Sequence, residues 1–276
     1  MFRKQAYTMQ QKPHWKSDID LAASRFYIRR MGQTRHTGAG EVPVARLPLI
    51  GFIYVTQGEV LVQIEGNPYL CQTGHVLIIP AGCPFSIRYY HDASGYTGAF
   101  STSLLNDTRP LRFLTQPVHQ AFWFDEGVFM AQLFNMIQES FEKGDDVFIE
   151  KAMDLFLSRI KSGKALAMPD IVNRFMESVF DPDKPIGNIS TYASESGISD
   201  NYLSRLIKQH TGRSVGQWID AVRIVRSKRL LASTTTPIID VASAVGLDDQ
   251  SYFARFFKNE TGMTPTEFRK AMQEKS

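Results

Sequence analysis

The sequence predicts an α+β protein of two domains, with a β-rich N-terminal half and an all-helical C-terminal half. Its 276 residues are enough for two domains of ordinary size. Short β-branched and aromatic runs, separated by turn residues, recur over residues 41–105, which is typical of a β-barrel or sandwich. From residue 128 onward the apolar residues recur instead at the three- and four-residue spacing of amphipathic helices.

The first domain is expected to cover residues 1–165. Its barrel strands are predicted at residues 51–56, 60–64, 76–79, 85–89 and 97–102. Gln57 and Gly58 are interpreted as the turn between the first two strands. Two helices follow within residues 128–160, and the short connection between them predicts an antiparallel helical hairpin. Residues 162–169 are interpreted as the linker to a second domain at 170–276.

The second domain contains an internal repeat. Residues recur 50 positions later in four places: Tyr202 and Tyr252, Arg205 and Arg255, Lys208 and Lys258, and the pairs Thr211-Gly212 and Thr261-Gly262. Upstream of the turn the spacing is 49, as for Gly197 and Gly246, so the second turn has one more residue. Each copy reads as helix, glycine turn and helix, which predicts helix-turn-helix units at about 189–210 and 238–260.

The second helix of each unit is predicted to have one apolar and one polar face. The apolar faces consist of Leu203, Leu206 and Ile207 in the first unit and of Phe253, Phe256 and Phe257 in the second. The opposite faces carry amides, hydroxyls, one arginine and one lysine. Amide and guanidinium groups read base edges in the major groove, whereas lysines and hydroxyls contact phosphates. One such helix would be interpreted as a solvated surface, but two matched copies favour DNA recognition.

Local signals predict how these helices begin and how the units are joined. Ser199 and Asp248 are expected to cap the two recognition helices. A linker helix is predicted at 214–231, with Ser214 as its cap, and it would span roughly 25 Å. Such a strut suits two recognition helices about one duplex turn apart, at ~34 Å. Its basic residues, Arg223, Arg226, Lys228 and Arg229, either contact phosphates or offset the helix dipole.

Residues 170–272 resemble the AraC/XylS family of bacterial transcription regulators. The resemblance is carried by the segments 237–258 and 261–265, and in the first unit by Ser199, Tyr202-Leu203, Arg205, Lys208 and Thr211-Gly212. The segments 54–58 and 74–82 are similar to hairpins of the family's cupin-like sensor domain. The resemblance implies seven helices in the DNA-binding domain and a sensor barrel with a small-molecule effector or a partner surface.

The same resemblance implies a sequence-specific regulator that reads successive major grooves of double-stranded DNA. The base-reading positions that carry over are Asn201, Ser204 and Arg205 in the first unit and Asp249, Gln250, Ser251 and Arg255 in the second. Asp249 either reads cytosine or begins its helix. Phosphate contacts are expected from Lys208, Lys258, Arg223 and Arg226. The 128–160 helices would form a homodimer or simply pack on the barrel, and RNA polymerase is left open as a further partner.

The effector pocket is expected inside the barrel. Its candidate lining residues are Phe52, Tyr54, Phe85, Arg88 and Tyr89, although strand alternation does not decide which of them point inward. A partner-protein surface without a small ligand is the alternative.

Enzymatic, metal-binding and membrane functions are not predicted. No two of the six histidines lie within four residues of each other, and His75 is interpreted as a hairpin residue. The sequence lacks the common nucleophile-elbow and phosphate-loop motifs, so no catalytic residue and no cofactor is expected. A cupin-type metalloenzyme fused to a DNA-binding domain is the alternative. With no run of 18 apolar residues, the protein is expected in the cytoplasm.

Overall fold

The N-terminal half of the chain folds around an antiparallel sheet. The computed structural model describes residues 24–32, 44–105, 120–123, 127–162, 164–166 and 168–274. Its strands are β1 (Phe26–Met31), β2 (Ala45–Arg46), β3 (Ile50–Ile64), β4 (Asn67–Gln72), β5 (His75–Ile79), β6 (Pro84–Phe100), β7 (Gln120–Trp123) and β8 (Lys164–Leu166). Their order is β1-β6-β3-β5-β7-β8, with β2 paired to β6 and β4 paired to β3.

Two long strands, β3 and β6, replace four of the shorter strands that the sequence predicts. The turn predicted at Gln57 and Gly58 is wrong, because the chain continues there as one irregular strand. The ladder with β6 shifts register on both sides of Gln57, and Gly58 has a φ of 72°. A Cβ atom at residue 58 would lie 2.3 Å from the carbonyl oxygen of His91. Such a bulge bends a strand without ending it, which allows β3 to pair with β4, β5 and β6.

The sheet also extends beyond the predicted barrel range of 41–105. β1 pairs with β6, and β7 pairs with β5. Residues 164–166, which the sequence places in the linker, form β8 and pair with β7. The linker prediction is wrong for these residues, since an extended segment at a sheet edge gains backbone hydrogen bonds that a free linker lacks.

The predicted helical hairpin is confirmed as α1 (Gly127–Lys143) and α2 (Asp146–Ser162). Both helices pack on one face of the sheet, where Phe52 and Tyr54 meet Phe134 of α1 and Phe156 of α2. The neighbouring residues of β3 point into a second apolar cluster on the opposite face. This alternation follows from the two-residue period of a strand.

The C-terminal half contains the expected seven helices within residues 168–274. They are α3 (Asp170–Phe180), α4 (Ile189–Glu195), α5 (Asp200–Thr211), α6 (Val215–Ser233), α7 (Ile238–Ala244), α8 (Gln250–Thr261) and α9 (Pro265–Gln273). Helices α4 and α5 form the first helix-turn-helix unit, α7 and α8 form the second, and α6 joins them. Among the described residues, no helix combines the length and the apolar composition needed to cross a membrane.

The two units have separate cores. The core of the first unit includes Trp218 and is continuous with Leu61, Leu70 and Tyr89 of the barrel domain. The core of the second unit is built from helices α6 to α9, with Ile186 packed at its edge. The barrel domain therefore shares buried apolar surface with the first unit.

Candidate nucleic-acid interface and ligand cavity

Each recognition helix begins at a side-chain cap. Ser199 caps α5 through a hydrogen bond from the amide of Tyr202, as predicted. The cap of α8 is Asp249, and the prediction of Asp248 is wrong. The extra residue in the second turn moves the cap one position along the chain, and the Asp248 carboxylate instead accepts a hydrogen bond from Ser243.

Asp249 is predicted either to read cytosine or to begin its helix, and the structure shows the second of these roles. Its Oδ1 accepts hydrogen bonds from the backbone amides of Ser251 at 2.7 Å and Tyr252 at 3.0 Å. These two hydrogen bonds lower the pKa of the Asp249 carboxyl. The structure therefore supports the capping role of Asp249, and the reading of cytosine by this carboxylate stays a prediction.

The two recognition helices end in the same way. Thr211 and Thr261 each donate a hydrogen bond to the carbonyl four residues earlier, at 2.8 and 2.7 Å. Gly212 and Gly262 then adopt left-handed conformations, with φ values of 74° and 77°. A glycine in this conformation ends a helix without a Cβ penalty. The repeat in sequence is therefore a repeat in local structure.

The other predicted base-reading side chains, together with Lys208 and Lys258, lie on the polar faces of α5 and α8. Leu203, Ile207, Phe253 and Phe257 are fully buried and hold the helices to their units. The exposed side chains are Asn201, Arg205 and Lys208 on α5, and Gln250, Ser251, Arg255 and Lys258 on α8, while Ser204 is half-buried. Each helix thus presents an arginine and, one turn later, a lysine to solvent.

Exposed aromatic rings flank the polar faces. The guanidinium carbon of Arg205 lies 5.3 Å from the ring centroid of Tyr202. On α8, Tyr252 stacks on Phe256 with 6.4 Å between ring centroids. This cation–π contact places the Arg205 guanidinium group beside an exposed ring of the same helix.

Helix α6 begins at Ser214, as predicted, in a capping box with Gln217. Its 19 residues span roughly 28 Å. Arg223 and Arg226, the two residues of this helix predicted to contact phosphates, make hydrogen bonds within the protein. Arg226 donates to the backbone carbonyls of residues 181 and 184, in the segment that follows α3. Arg223 bonds to Asp220 and to the carbonyl of residue 245.

Lys228 of the same basic cluster is also turned toward the protein. Its ammonium nitrogen lies 6.0 Å from the ring centroid of Phe268. Burial lowers the pKa of Lys228 to about 8. In this cluster Arg229 is the exposed member, while the other three side chains contact neighbouring segments of the protein.

A cleft of about 1180 Å³ lies between the sheet and α1. Its polar lining comes mainly from Arg30, Thr56, Thr73, Ser94, Gln132 and Asn135. Tyr54 and Tyr96 form its aromatic wall, with their rings nearly parallel and their centroids 6.5 Å apart. Arg30 donates hydrogen bonds to Asn135 and to the Tyr96 hydroxyl. The volume is large enough for a small organic ligand.

Within the described residues, the five side chains predicted to line the effector pocket lie in different places, and their shared role stays a prediction. Tyr54 lines the cleft beside α1. Phe52 and Phe85 border a space of about 40 Å³, too small for an organic effector. Arg88 lies in a separate cleft of about 350 Å³ facing α3. Tyr89 is buried against Trp218 of the helical domain. Long bent strands carry neighbouring residues to different surfaces, which strand alternation cannot reveal.

The prediction for His75 agrees with its environment. Its Nδ1 accepts a hydrogen bond from the backbone amide of Gln72 within the β4–β5 hairpin. Burial lowers the pKa of His75. Within the described part of the chain, no group of three or more His, Cys, Asp or Glu side chains is arranged to hold a metal ion.

Comparison with known protein families agrees with this architecture. The AraC-like ligand binding domain matches residues 35–157, and a helix-turn-helix domain matches residues 192–271. The chain belongs to the AraC family of transcription regulators. The protein is a DNA-binding transcription regulator in which a ligand-binding sensor domain precedes a helix-turn-helix domain.

Individual members of the family are distant relatives. The arabinose operon regulatory protein of Escherichia coli strain K12 is 28% identical over 79% of this chain and 80% of its own length. The transcriptional activator RhaR of Yersinia pseudotuberculosis serotype O:3 is 23% identical over 79% of this chain and 81% of its own. Among solved structures, the C-terminal domain of AraT from Geobacillus stearothermophilus is 31% identical, with a TM-score of 0.36, over 38% of this chain and 88% of that domain.

Proposed function

We propose that α5 and α8 enter two successive major grooves of a DNA duplex and read its bases. The base-reading side chains are Asn201, Ser204, Arg205, Gln250, Ser251 and Arg255. Lys208 and Lys258, each three residues after an arginine, contact phosphates. The observation that supports this proposal is the matched exposure of the two helices, which bury equivalent residues and present equivalent polar groups. Exposed arginines are suited to guanine and exposed amides to adenine.

Selection of duplexes from a random pool, at stated salt, tests the reading of two grooves. The expected result is a site with two specific segments whose centres are about 10 base pairs apart. One specific segment, or none, would contradict the proposal. A promoter-bound regulator of this kind acts on RNA polymerase, which we infer as its further partner.

We infer that the cleft between the sheet and α1 binds the effector, and that the effector is a small polyhydroxylated molecule such as a monosaccharide. Hydroxyl, amide and guanidinium groups supply donors and acceptors for several hydroxyl groups, and the tyrosine rings supply a flat apolar wall. This combination suits a sugar ring, which has polar edges and apolar C–H faces. The sensor domain thereby regulates rather than catalyses.

A thermal-shift screen of monosaccharides tests the effector site. A ligand that binds the folded protein raises its melting temperature, and Thr56→Val should weaken that binding about tenfold, because it removes a hydroxyl from the cleft while keeping the side-chain shape. Thr97→Val is the matched control, since Thr97 borders the 40 Å³ space instead. A shift that survives Thr56→Val unchanged would place the ligand elsewhere, and no shift would favour a partner-protein surface. A stoichiometric metal ion in the purified protein would favour the metalloenzyme alternative.

We also infer that the protein forms a homodimer through the helical hairpin. Val128 and Met136 on α1, and Val147 and Leu155 on α2, are exposed apolar side chains, of which Val147 is 65% exposed. Exposed apolar residues on neighbouring helices are typical of an interface. Sedimentation velocity is expected to show a dimer for the wild type and a monomer for Val147→Glu with Leu155→Glu. If the dimer persisted with both substitutions, the hairpin would not be the dimer interface and would only pack on the barrel.

A further inference from the structure

The turn between α5 and α6, directly after the first recognition helix, is bound to the barrel domain. Glu59 of β3 is 6% exposed. Its carboxylate accepts hydrogen bonds from Arg213 Nε at 2.6 Å and from the Tyr89 hydroxyl at 3.1 Å. Gln72 Nε2 donates to the same carboxylate and to the carbonyl of Thr211, the last residue of α5. The barrel thus holds both the cation and the backbone of this turn.

Aromatic rings enclose the ion pair. Tyr89 meets Trp218 edge to face, with 5.2 Å between ring centroids. The Arg213 guanidinium carbon lies 5.8 Å from the centroid of Tyr89 and 5.5 Å from that of Trp218. Trp218 Nε1 in turn donates to Thr211 Oγ1 at 2.9 Å. We call the group formed by Glu59, Gln72, Tyr89, Thr211, Arg213 and Trp218 the domain latch.

The internal repeat shows that the helix-turn-helix fold does not need this contact. The turn after α8 has the same threonine hydrogen bonds and the same left-handed glycine as the turn after α5. Met263 stands at the position equivalent to Arg213, and Phe268 at the position equivalent to Trp218. Met263 packs against the second unit's own core. The arginine in the first unit therefore serves the contact with Glu59 and not the turn itself.

In the latch, the positive charge of Arg213 is paired with Glu59 and is not available to the DNA-binding surface. Arg213 is the second residue after α5 and lies five residues after Lys208, a proposed phosphate contact. In the latched state its charge is paired with the Glu59 carboxylate. Opening the latch would expose the cation and remove the carboxylate from the end of α5, and both changes favour binding to a polyanion. Loss of one partner favours opening, because a buried charge without its counter-ion is costly.

The elements that build the latch also line the proposed effector cleft. Strand β3 contributes Tyr54 and Thr56 to the cleft and Glu59 to the latch. Strand β6 contributes Ser94 and Tyr96 to the cleft and Tyr89 to the latch. Gln72 of the latch is followed by two cleft residues, Thr73 and Gly74. Two of the three register shifts between β3 and β6 lie between Val55 and Glu59. Only a few residues of the same strands therefore separate the cleft from the latch.

We propose that the domain latch is an autoinhibitory contact by which the barrel restrains the first helix-turn-helix unit alone, and that occupancy of the cleft opens it. The second unit, whose core is separate from the barrel, keeps its freedom to engage DNA. The opening step rests on the proposed function of the cleft, whereas the restraint by Glu59 and Arg213 does not.

The test compares full-length wild-type protein with Glu59→Gln, without any effector. Hydrogen exchange measured by mass spectrometry should become faster in peptides covering 211–218 and stay unchanged in those covering 261–268, the equivalent turn of the second unit. Affinity for a duplex selected by the wild type should rise about tenfold, a usual size for coupling between sites. Glu142→Gln is the matched control, because it removes the same charge from an exposed position on α1.

A second variant, Arg213→Met, introduces the residue that the second unit already uses in this turn. It should show the same faster exchange with a smaller gain in affinity, because the released cation is gone. Unchanged exchange in both variants would overturn the latch, and faster exchange without tighter binding by Glu59→Gln would overturn its autoinhibitory role. Failure of the wild type to select any duplex would instead refute the proposed base reading. The hydrogen-exchange measurement would still test whether the latch restrains the first unit.

Discussion

Replacing Arg255 with alanine is expected to reduce the affinity for the selected duplex by about 1–3 kcal/mol, roughly 5- to 150-fold. Arg255 is exposed on the polar face of α8, while Phe253 and Phe257 on the opposite face are buried in the core of the second unit. A guanidinium group in this place can donate two hydrogen bonds to one guanine, and alanine can donate none. The loss should therefore be confined to duplexes that carry the preferred base pair.

Titration of selected and scrambled duplexes at several salt concentrations measures this effect. Lys258→Ala is the matched control on the same helix. It should weaken binding to both duplexes alike and reduce the salt slope by about one, because it removes a phosphate contact. If Arg255→Ala weakened both duplexes equally, its assignment as a base-reading residue would be refuted.

Replacing Trp218 with alanine is expected to lower the free energy of unfolding by about 3–5 kcal/mol. Trp218 is the largest fully buried side chain among the residues that the structure describes. It contacts the rings of Tyr89 and Phe180, and its indole donates to Thr211. Alanine would leave a cavity between the barrel and the first unit and would also leave part of the Thr211 hydroxyl's bonding unsatisfied.

Denaturant unfolding followed by circular dichroism measures the loss. Trp218→Phe is the informative control, because phenylalanine stands at the equivalent position 268 of the second unit and retains an aromatic ring. Its loss should be smaller than that of alanine. A change below about 1 kcal/mol for Trp218→Ala would mean that the shared core contributes little to stability.

The two helix-turn-helix units were predictable because their signals are local. Spacing of apolar residues along α5 and α8 determines which face is buried, and Ser199 and Ser214 cap helices within three residues of themselves. The one local error, Asp248 in place of Asp249, came from a single inserted residue. Such an insertion leaves the pattern of the helix intact while moving its first hydrogen bonds.

Equally strong local signals did not reveal the contacts of residues whose partners are distant in sequence. Arg226 stands in a basic cluster, yet its partners are backbone carbonyls more than 40 residues earlier. Tyr89 is an aromatic strand residue like Tyr54, yet one packs on the helical domain and the other lines a cleft. The charge of a side chain and its position in a strand limit the contacts that it can make. Which contact forms depends on the residues that the tertiary structure places beside it.

The barrel domain depended most on tertiary structure. Two bulged strands replaced four predicted ones, because pairing with β6 continues through Gln57 and Gly58. The cleft and the domain latch join residues from several elements, such as Gln72 and Thr211, which are 139 positions apart. The chain's pattern was therefore sufficient for helices, their exposed faces and DNA recognition, since these depend on neighbours within one or two turns. Where the effector binds and how the domains touch required the fold, because those contacts form between segments whose spacing carries no periodic signal.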